Sequence, residues 1–454
     1  MSADISATTK PRVLFFARGY QADFFPRLTS DRYEAVFVTL TRAEQRIVQS
    51  RGGQVAACFE EQFDALTAVE VPDGYLGTSL VSDRFLGRFD YADRREILGK
   101  EIAFWGGLLD TYRPAAVVNE LVAIEISEVL LIEARRRDIP YLAGMDCLVE
   151  GRSYWLKDPL TLTGANITPC DTPAAETLAM ARSYLERLRQ PRYRPYYVRD
   201  LAGRRALRPV LAALVKSLAW RARIRFGRRF QYEDYREEYA KRISVFLRSF
   251  RSRYDRIANL PAEAEVIFYP LHQEPEATLA YMSEFYANQV HTIENILKCL
   301  SPGQVLVVKE HPVDKGSLLR DKFQALRKRL SGLYYLPAEL HGRDVLTRAA
   351  RVVTLTSSVG WEAANDGRPV YVMGRIFFDR VAGITRIRSF RELRAALRVP
   401  LAEAPRADPA AIERLVVGMT AMSWPGNPFP HAHLNSAENI RLVVDAVERG
   451  AGLA

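Results

Sequence analysis

Several short stretches of the sequence combine residue types that do chemistry with positions at which a strand gives way to a helix. In Thr356-Ser357-Ser358-Val359-Gly360-Trp361-Glu362, small hydroxyl residues and a glycine lead into a helix. Backbone N–H groups at a helix start lack intrahelical partners and the macrodipole is positive there, so phosphate is favoured. Ser357 and Ser358 add hydroxyl donors, Gly360 permits close approach of a ligand, and Glu362 could accept from sugar hydroxyls. The plainer reading is an ordinary N-cap, with Glu362 complementing the dipole. In Lys309-Glu310-His311-Pro312, a lysine and an imidazole could neutralise a phosphate or protonate a departing phosphate oxygen, against the commoner structural role of a lone histidine. In Tyr269 to Thr278, a strand runs through His272 into Glu276, where the carboxylate could equally serve the helix dipole. The N-terminal half offers Arg18-Gly19, Asn119-Glu120 and Asp146 to Glu150-Gly151; a carboxylate there could act as general base on an acceptor hydroxyl, although each alone reads as a surface acid.

What is missing narrows the chemistry. The chain has no Asp-x-Asp pair, no Gly-x-x-x-x-Gly-Lys-Ser/Thr loop and no Gly-x-Gly-x-x-Gly, so neither a P-loop ATPase nor a dinucleotide oxidoreductase is expected. Cys58, Cys147, Cys170 and Cys299 form no C-x-x-C pair, and His431 and His433 have no evident third ligand, so neither a metal nor a cofactor is expected. Apolar residues are 48% and charged residues 26% of 454, the balance of a folded globular chain. No apolar run reaches the roughly 18–20 residues of a spanning helix, and Met1 to Arg12 is too polar for a secretory signal. The expected compartment is the cytoplasm.

Charge is unevenly placed. Ala181 to Leu260 holds 22 basic and 7 acidic residues, more than the whole chain's excess of +10. Such a segment suits an anionic partner, such as phospholipid headgroups or a lipid-linked phosphate, or else a solvated helical face. Within it, Val210-Leu-Ala-Ala-Leu-Val215 reads as a surface-lying amphipathic helix. Nucleic acid is not expected, since no recognition module accompanies the basic residues.

The elements that must position these groups follow from periodicity. Apolar runs at Val13–Ala17, Ala35–Leu40, Ala115–Glu120 and Ile139–Ala143 alternate with helical stretches, as in parallel βαβ units. The pattern resumes at Glu265–Tyr269, with a long helix at Glu276–Leu300, then strands at Gln304–Val308, Leu333–Leu336, Arg351–Leu355 and Pro369–Met373. We expect four regions: a Rossmann-like acceptor domain over 1–170, a basic helical insertion over 171–260, a Rossmann-like nucleotide domain over 261–407, and a helical tail over 408–454 closed by Asn435–Gly450. Two doubly wound α/β domains facing one another form a cleft lined by strand-end loops, the usual place for a nucleotide.

The runs Tyr269–Thr278, Lys309–Pro312 and Thr356–Ala363, with Gly367-Arg-Pro-Val370 and Met373 to Thr385, resemble the bacterial capsule polysaccharide biosynthesis family. That family includes the β-Kdo transferases of the two-Rossmann-domain architecture called GT-B. The resemblance implies a glycosyltransferase taking a nucleotide-sugar donor; we expect it to be metal-independent, its site groups replacing a metal ion, and to act in the cell envelope on a polysaccharide or lipid-linked acceptor, with the basic segment holding it peripherally at the inner membrane. It places His311 and Pro312 at the nucleotide phosphate, with Ser357, Ser358 and Glu362 in the nucleotide pocket, and likens Glu150-Gly151 to an acidic-Gly element of the family's N-terminal half. The loop His272–Glu276 departs from the commonest Kdo-transferase wording, which leaves the donor sugar open. Two alternatives are a teichoic-acid-type polyol phosphotransferase using a CDP-polyol and a non-catalytic polysaccharide-assembly protein.

Overall fold

A computed structural model describes residues 10–72, 83, 85–156, 163–191, 193, 211, 215, 218, 230, 232, 254–273, 276–312 and 320–454. The chain divides into two compact units: unit 1 comprises 1–160, 229–233 and 423–454, and unit 2 comprises 161–228 and 234–422.

Unit 1 is built on a seven-stranded sheet. Its strands are β1 (Arg12–Ala17), β2 (Glu34–Thr39), β3 (Val55–Cys58), β4 (Ala116–Glu120), β5 (Tyr141–Asp146), β6 (Arg152–Leu156) and β13 (Trp424–Pro425). Their order is β13-β6-β5-β4-β1-β2-β3, parallel from β5 to β3, with β6 and β13 added antiparallel. The central strands are apolar on both faces because helices cover both, and Val13 to Ala17 are wholly buried. The C-terminal helix Ala437–Gly450 places Val443 and Val447 in one core with Val13, Phe15 and Phe37. The ends of the chain are thus joined by packing.

Unit 2 has six parallel strands: β7 (Glu265–Pro270), β8 (Gln304–Lys309), β9 (Leu333–Leu336), β10 (Arg351–Thr354), β11 (Val370–Val372) and β12 (Thr385–Arg386), in the order β12-β11-β10-β7-β8-β9. Arg351 is buried at the start of β10 and is satisfied by Glu265 (2.6 Å), the Tyr371 hydroxyl (2.8 Å) and the Val399 carbonyl (2.6 Å). Two Rossmann-like units of mainly parallel strands are the fold class expected from sequence.

Two expectations need revising. The long helix over Glu276–Leu300 is broken into Ala277–Met282, a single turn Glu284–Tyr286, and Gln289–Leu297. Ser283 leaves helical geometry (φ −151°), Arg375 N–H takes the Met282 carbonyl (2.8 Å), and Asn288 opens the next helix by accepting from His291 N–H. The tail over 408–454 is likewise not one region: the helix Pro409–Ala421 packs on Ala175–Leu188 within unit 2, while the closing helix belongs to unit 1. Most of the basic insertion lies outside the described residues, as do Glu274 and Pro275.

Candidate functional site

β10, β7 and β8 are adjacent and parallel, so the loops leaving their carboxyl ends are neighbours. These are the loops carrying Thr356–Ser358, His272, and His311 with Pro312. Gln289, buried at the start of its helix, clamps the backbone of His272 on both sides: its Oε1 accepts from His272 N–H (2.7 Å) and its Nε2 donates to the His272 carbonyl (2.9 Å). The His272 ring then crosses to the β10 loop. Its Nε2 accepts from Thr356 N–H (3.2 Å) and stands 3.0 Å from the Thr356 hydroxyl. Burial, and secondarily the charge of nearby His311, hold the His272 pKa down to about 3. The ring is therefore neutral at any physiological pH. His311 and Pro312 are half-buried.

The helix Ser358–Asn365 begins within the hydroxyl run, so Gly360 lies inside it and not ahead of it as expected. Ser357 is its N-cap, accepting from Val359 N–H (3.2 Å) through Oγ, while its carbonyl takes Gly360 N–H (3.0 Å). Ser357 is half-buried and Ser358 exposed. Gly360 needs a different explanation from the one expected. A Cβ there would lie 2.6 Å from Thr354 Cγ2 and 3.3 Å from Phe378 Cζ, so the glycine lets helix and strand pack, and the space is not open to a ligand.

Lys309 and Glu362 also turn inward. Lys309 is the last residue of β8. Its buried Nζ donates to the carbonyls of Glu310 (2.9 Å) and Ala338 (3.2 Å), and burial lowers its pKa to about 8 against the pull of Glu310 and Glu339. Glu362 is buried with its Oε2 3.3 Å from Arg343 Nε, and Arg343 also reaches Asp366 and the Leu188 carbonyl. Burial raises the Glu362 pKa to about 7 despite Arg343, with Asp366 adding to the rise. Lys309 Nζ is thus committed to backbone carbonyls, and Glu362 stands in a buried ion pair with Arg343. Glu276 stands immediately before the helix Ala277–Met282 and does not cap it with its side chain.

Sequence reasoning missed what holds the His311 loop. Glu310 is buried and accepts from the Tyr254 hydroxyl (2.6 Å) and the Tyr335 hydroxyl (2.8 Å). No local pattern announces a contact between residues 56 apart in the chain.

In unit 1 the parallel neighbours β1, β4 and β5 bring Arg18, Glu120 and Asp146 to one edge. Arg18 Nη2 pairs with Glu120 Oε1. Gly19 N–H donates to Glu44 Oε1 (2.7 Å), and Glu44 Oε2 accepts from Thr41 N–H (2.9 Å) in a capping box. That Thr-x-x-Glu box is legible in the sequence; its second contact with Gly19 is not. Burial, then Glu120 and Asp146, push the Tyr20 phenol well above its ordinary value, so Tyr20 stands at the same edge. Glu150 is exposed on the β5–β6 hairpin turn beside Gly151 (φ +76°). A further acidic group was not expected at all: Glu101 and Glu125, buried within unit 1 beside Asp83, have pKa values raised well above the ordinary carboxyl range by burial and then by Asp83, and the Tyr232 hydroxyl donates to Glu125.

Among the described residues no group of three or more His, Cys, Asp or Glu is arranged to hold a metal ion. A cavity of about 450 Å³ lined by Asn288, His291, Glu294 and Arg329 contains none of the residues singled out from sequence.

Residues 224–411 match the family described as "Capsule polysaccharide biosynthesis protein", which bears out the resemblance drawn from the motifs. The match spans all of the unit 2 strands and their loops. No curated protein sequence matches the chain. Among solved structures, the chain is similar to the β-Kdo 2,4 transferase of Thermosulfurimonas dismutans KpsC, at 15% identity, covering 69% of this chain and 82% of that one with a TM-score of 0.39. The β-Kdo 2,7 transferase of the same organism's KpsC is matched at 13% identity over 91% and 99%, TM-score 0.36. Neisseria meningitidis UDP-GlcNAc 2-epimerase bound to UDP-GlcNAc is matched at 11% identity over 96% and 99%, TM-score 0.27.

Proposed function

We propose that the protein is a glycosyltransferase of bacterial surface-polysaccharide assembly, moving a sugar from a nucleotide-sugar donor to a polysaccharide or lipid-linked acceptor. One observation carries this reading: within the family-matched segment, His272, His311 and the Thr356–Ser358 helix start occupy the carboxyl ends of three adjacent parallel strands, cross-linked by the His272–Thr356 bond. In open α/β sheets that edge is where ligands bind, and a helix start favours phosphate.

The chemistry is assigned by position at this edge. Lys309 and Glu362 are engaged inside the fold, so stabilisation of the departing nucleotide falls to the helix start, the Ser357 and Ser358 hydroxyls and His311. His311 is the candidate acid for the leaving phosphate oxygen. Acceptor activation is assigned to unit 1, with Asp146 and Glu120 as candidate bases.

The test is a thermal-shift panel of CMP, UDP, GDP and CDP, since a ligand bound only by the native state raises the melting point by mass action. One nucleotide is expected to stabilise the chain, and the matching nucleotide sugar to be consumed. Transfer from CDP-glycerol or CDP-ribitol, with none from any sugar nucleotide, would overturn the reading in favour of a polyol phosphotransferase.

The reaction is further assigned to the cytoplasmic face of an anionic membrane. No helix among the described residues is long and apolar enough to cross a bilayer. Leu211, Val215 and Leu218, each helical, are 51%, 66% and 57% exposed, in a stretch from Leu201 to Tyr232 with nine basic residues and no acidic one. Apolar side chains amid cations suit lipid headgroups. Co-sedimentation should favour phosphatidylglycerol vesicles over phosphatidylcholine and weaken in salt; equal binding to both would sink this assignment.

A further inference from the structure

We propose that His272 is a positioning and ligand-recognition residue fixed as the neutral Nδ1–H tautomer, whose Nδ1–H donates to an oxygen of the bound nucleotide sugar. The inference rests on the nucleotide reading of the site. It assigns His272 a role opposite in kind to that of His311: a fixed donor in place of an acid.

The tautomer follows from the partners. A backbone N–H can only donate, so the Thr356 N–H bond to Nε2 (3.2 Å) requires that Nε2 carry the lone pair and Nδ1 the proton. The Thr356 hydroxyl at 3.0 Å then donates to the same nitrogen. The main chain of His272 is held on both sides by Gln289, so the ring has little freedom to turn over.

What this leaves is a donor without an acceptor. The residue is 6% exposed, and Nδ1 is buried with no hydrogen-bond partner. Nearly all buried polar groups in folded proteins are paired, and an orphan donor lowers stability until an acceptor reaches it. Here the orphan belongs to the loop between the Thr356–Ser358 helix start and His311, where the proposed function puts the phosphates and the sugar. Protonation offers no escape, because Nε2 is covered by Thr356 N–H and burial disfavours a charged ring. An oxygen acceptor is the chemistry that completes the group, and a phosphate or sugar hydroxyl oxygen supplies it.

The test uses the full chain with ¹⁵N-labelled histidine. Long-range ¹⁵N–¹H spectra should show His272 protonated at Nδ1 and bare at Nε2, unchanged from pH 5 to 8. Addition of whichever of CMP, UDP, GDP or CDP stabilises the wild type, or of its nucleotide sugar, should move the Nδ1–H resonance downfield. H272A should weaken that nucleotide or nucleotide sugar about tenfold or more. H272Q, which can restore an acceptor for Thr356 N–H without restoring Nδ1–H, should keep the wild-type melting temperature and still bind weakly. Protonation at Nε2, titration near pH 6.5, a Nδ1–H signal indifferent to ligand, or full affinity in both variants would each overturn the inference while nucleotide binding stood. Failure of every nucleotide to stabilise the wild type would overturn the site reading, and this inference with it.

Discussion

At the carboxyl edge of unit 2 the groups brought together are two imidazoles, two serine hydroxyls and a helix start, while the nearby carboxylates Glu310 and Glu362 are occupied by tyrosines and by Arg343. At the equivalent edge of unit 1 the groups are carboxylates, Glu120, Asp146 and Glu44, near Arg18. Parallel strands present the same geometry at both edges; the side chains make one suited to an anion and the other to a hydroxyl that must lose a proton. On the proposed function, that difference in side-chain chemistry is what would divide donor from acceptor work between the two edges.

The most severe test of that division is H311A. Loss of a general acid commonly lowers turnover by about 10²–10⁴-fold. We expect a loss in that range, measured as nucleotide released from the donor sugar, with an unchanged melting temperature because His311 is only half-buried. A variant with wild-type turnover would erase the contrast between the edges.

The second test asks whether Glu362 belongs to the fold or to the ligand. Its folded pKa of about 7 lies above the ordinary 4.5. A raised pKa means that the folded state holds the proton more tightly, so the associated stability is complete below about pH 4.5 and is lost as pH rises through 7. The difference amounts to roughly 3 kcal/mol at most. Chemical denaturation at pH 5 and pH 8 should show E362Q losing less stability than the wild type over that interval, with nucleotide affinity preserved. Loss of nucleotide binding with an unaltered pH profile would return Glu362 to the binding site.

D146N probes the other edge. Turnover should fall about a hundredfold, the low end of the range for a lost general base, while the nucleotide-induced thermal shift stays at its wild-type size. A D146N that loses nucleotide binding would place donor chemistry in unit 1 and break the comparison.

Much of this arrangement was legible in the sequence, and what was not has definable causes. The strands β1, β4, β7, β8 and β10 announce themselves as apolar runs because both faces of a covered parallel sheet are buried. The loops that follow them were found for the same reason. β6, with Arg152 and Ser153 among its five residues, carries no such signal and exists through pairing with β5 and β13. The break at Ser283 and Asn288 was hidden because its cause, Arg375 against the Met282 carbonyl, is 93 residues away. Residue identity showed that Lys309 and Glu362 could serve a ligand; only packing shows that Ala338 and Arg343 reach them first.

The smallest expected effect distinguishes the two explanations of Gly360. If its role is to let the helix Ser358–Asn365 lie against β10, then G360A forces a Cβ into Thr354 Cγ2 at 2.6 Å and must push helix and strand apart. Overpacking of this kind costs about 1–3 kcal/mol, here against a buried, β-branched Thr354 whose hydroxyl also holds Ser357 N–H. The melting temperature should fall, while the affinity of whichever nucleotide stabilises the wild type changes by less than about twofold. Were the glycine instead a place of close ligand approach, the methyl would meet the ligand, and affinity would fall with stability almost untouched. The double change T354S/G360A separates them further: removing Cγ2 clears the nearest contact, so the stability lost in G360A should be largely regained, whereas an obstructed ligand would stay obstructed.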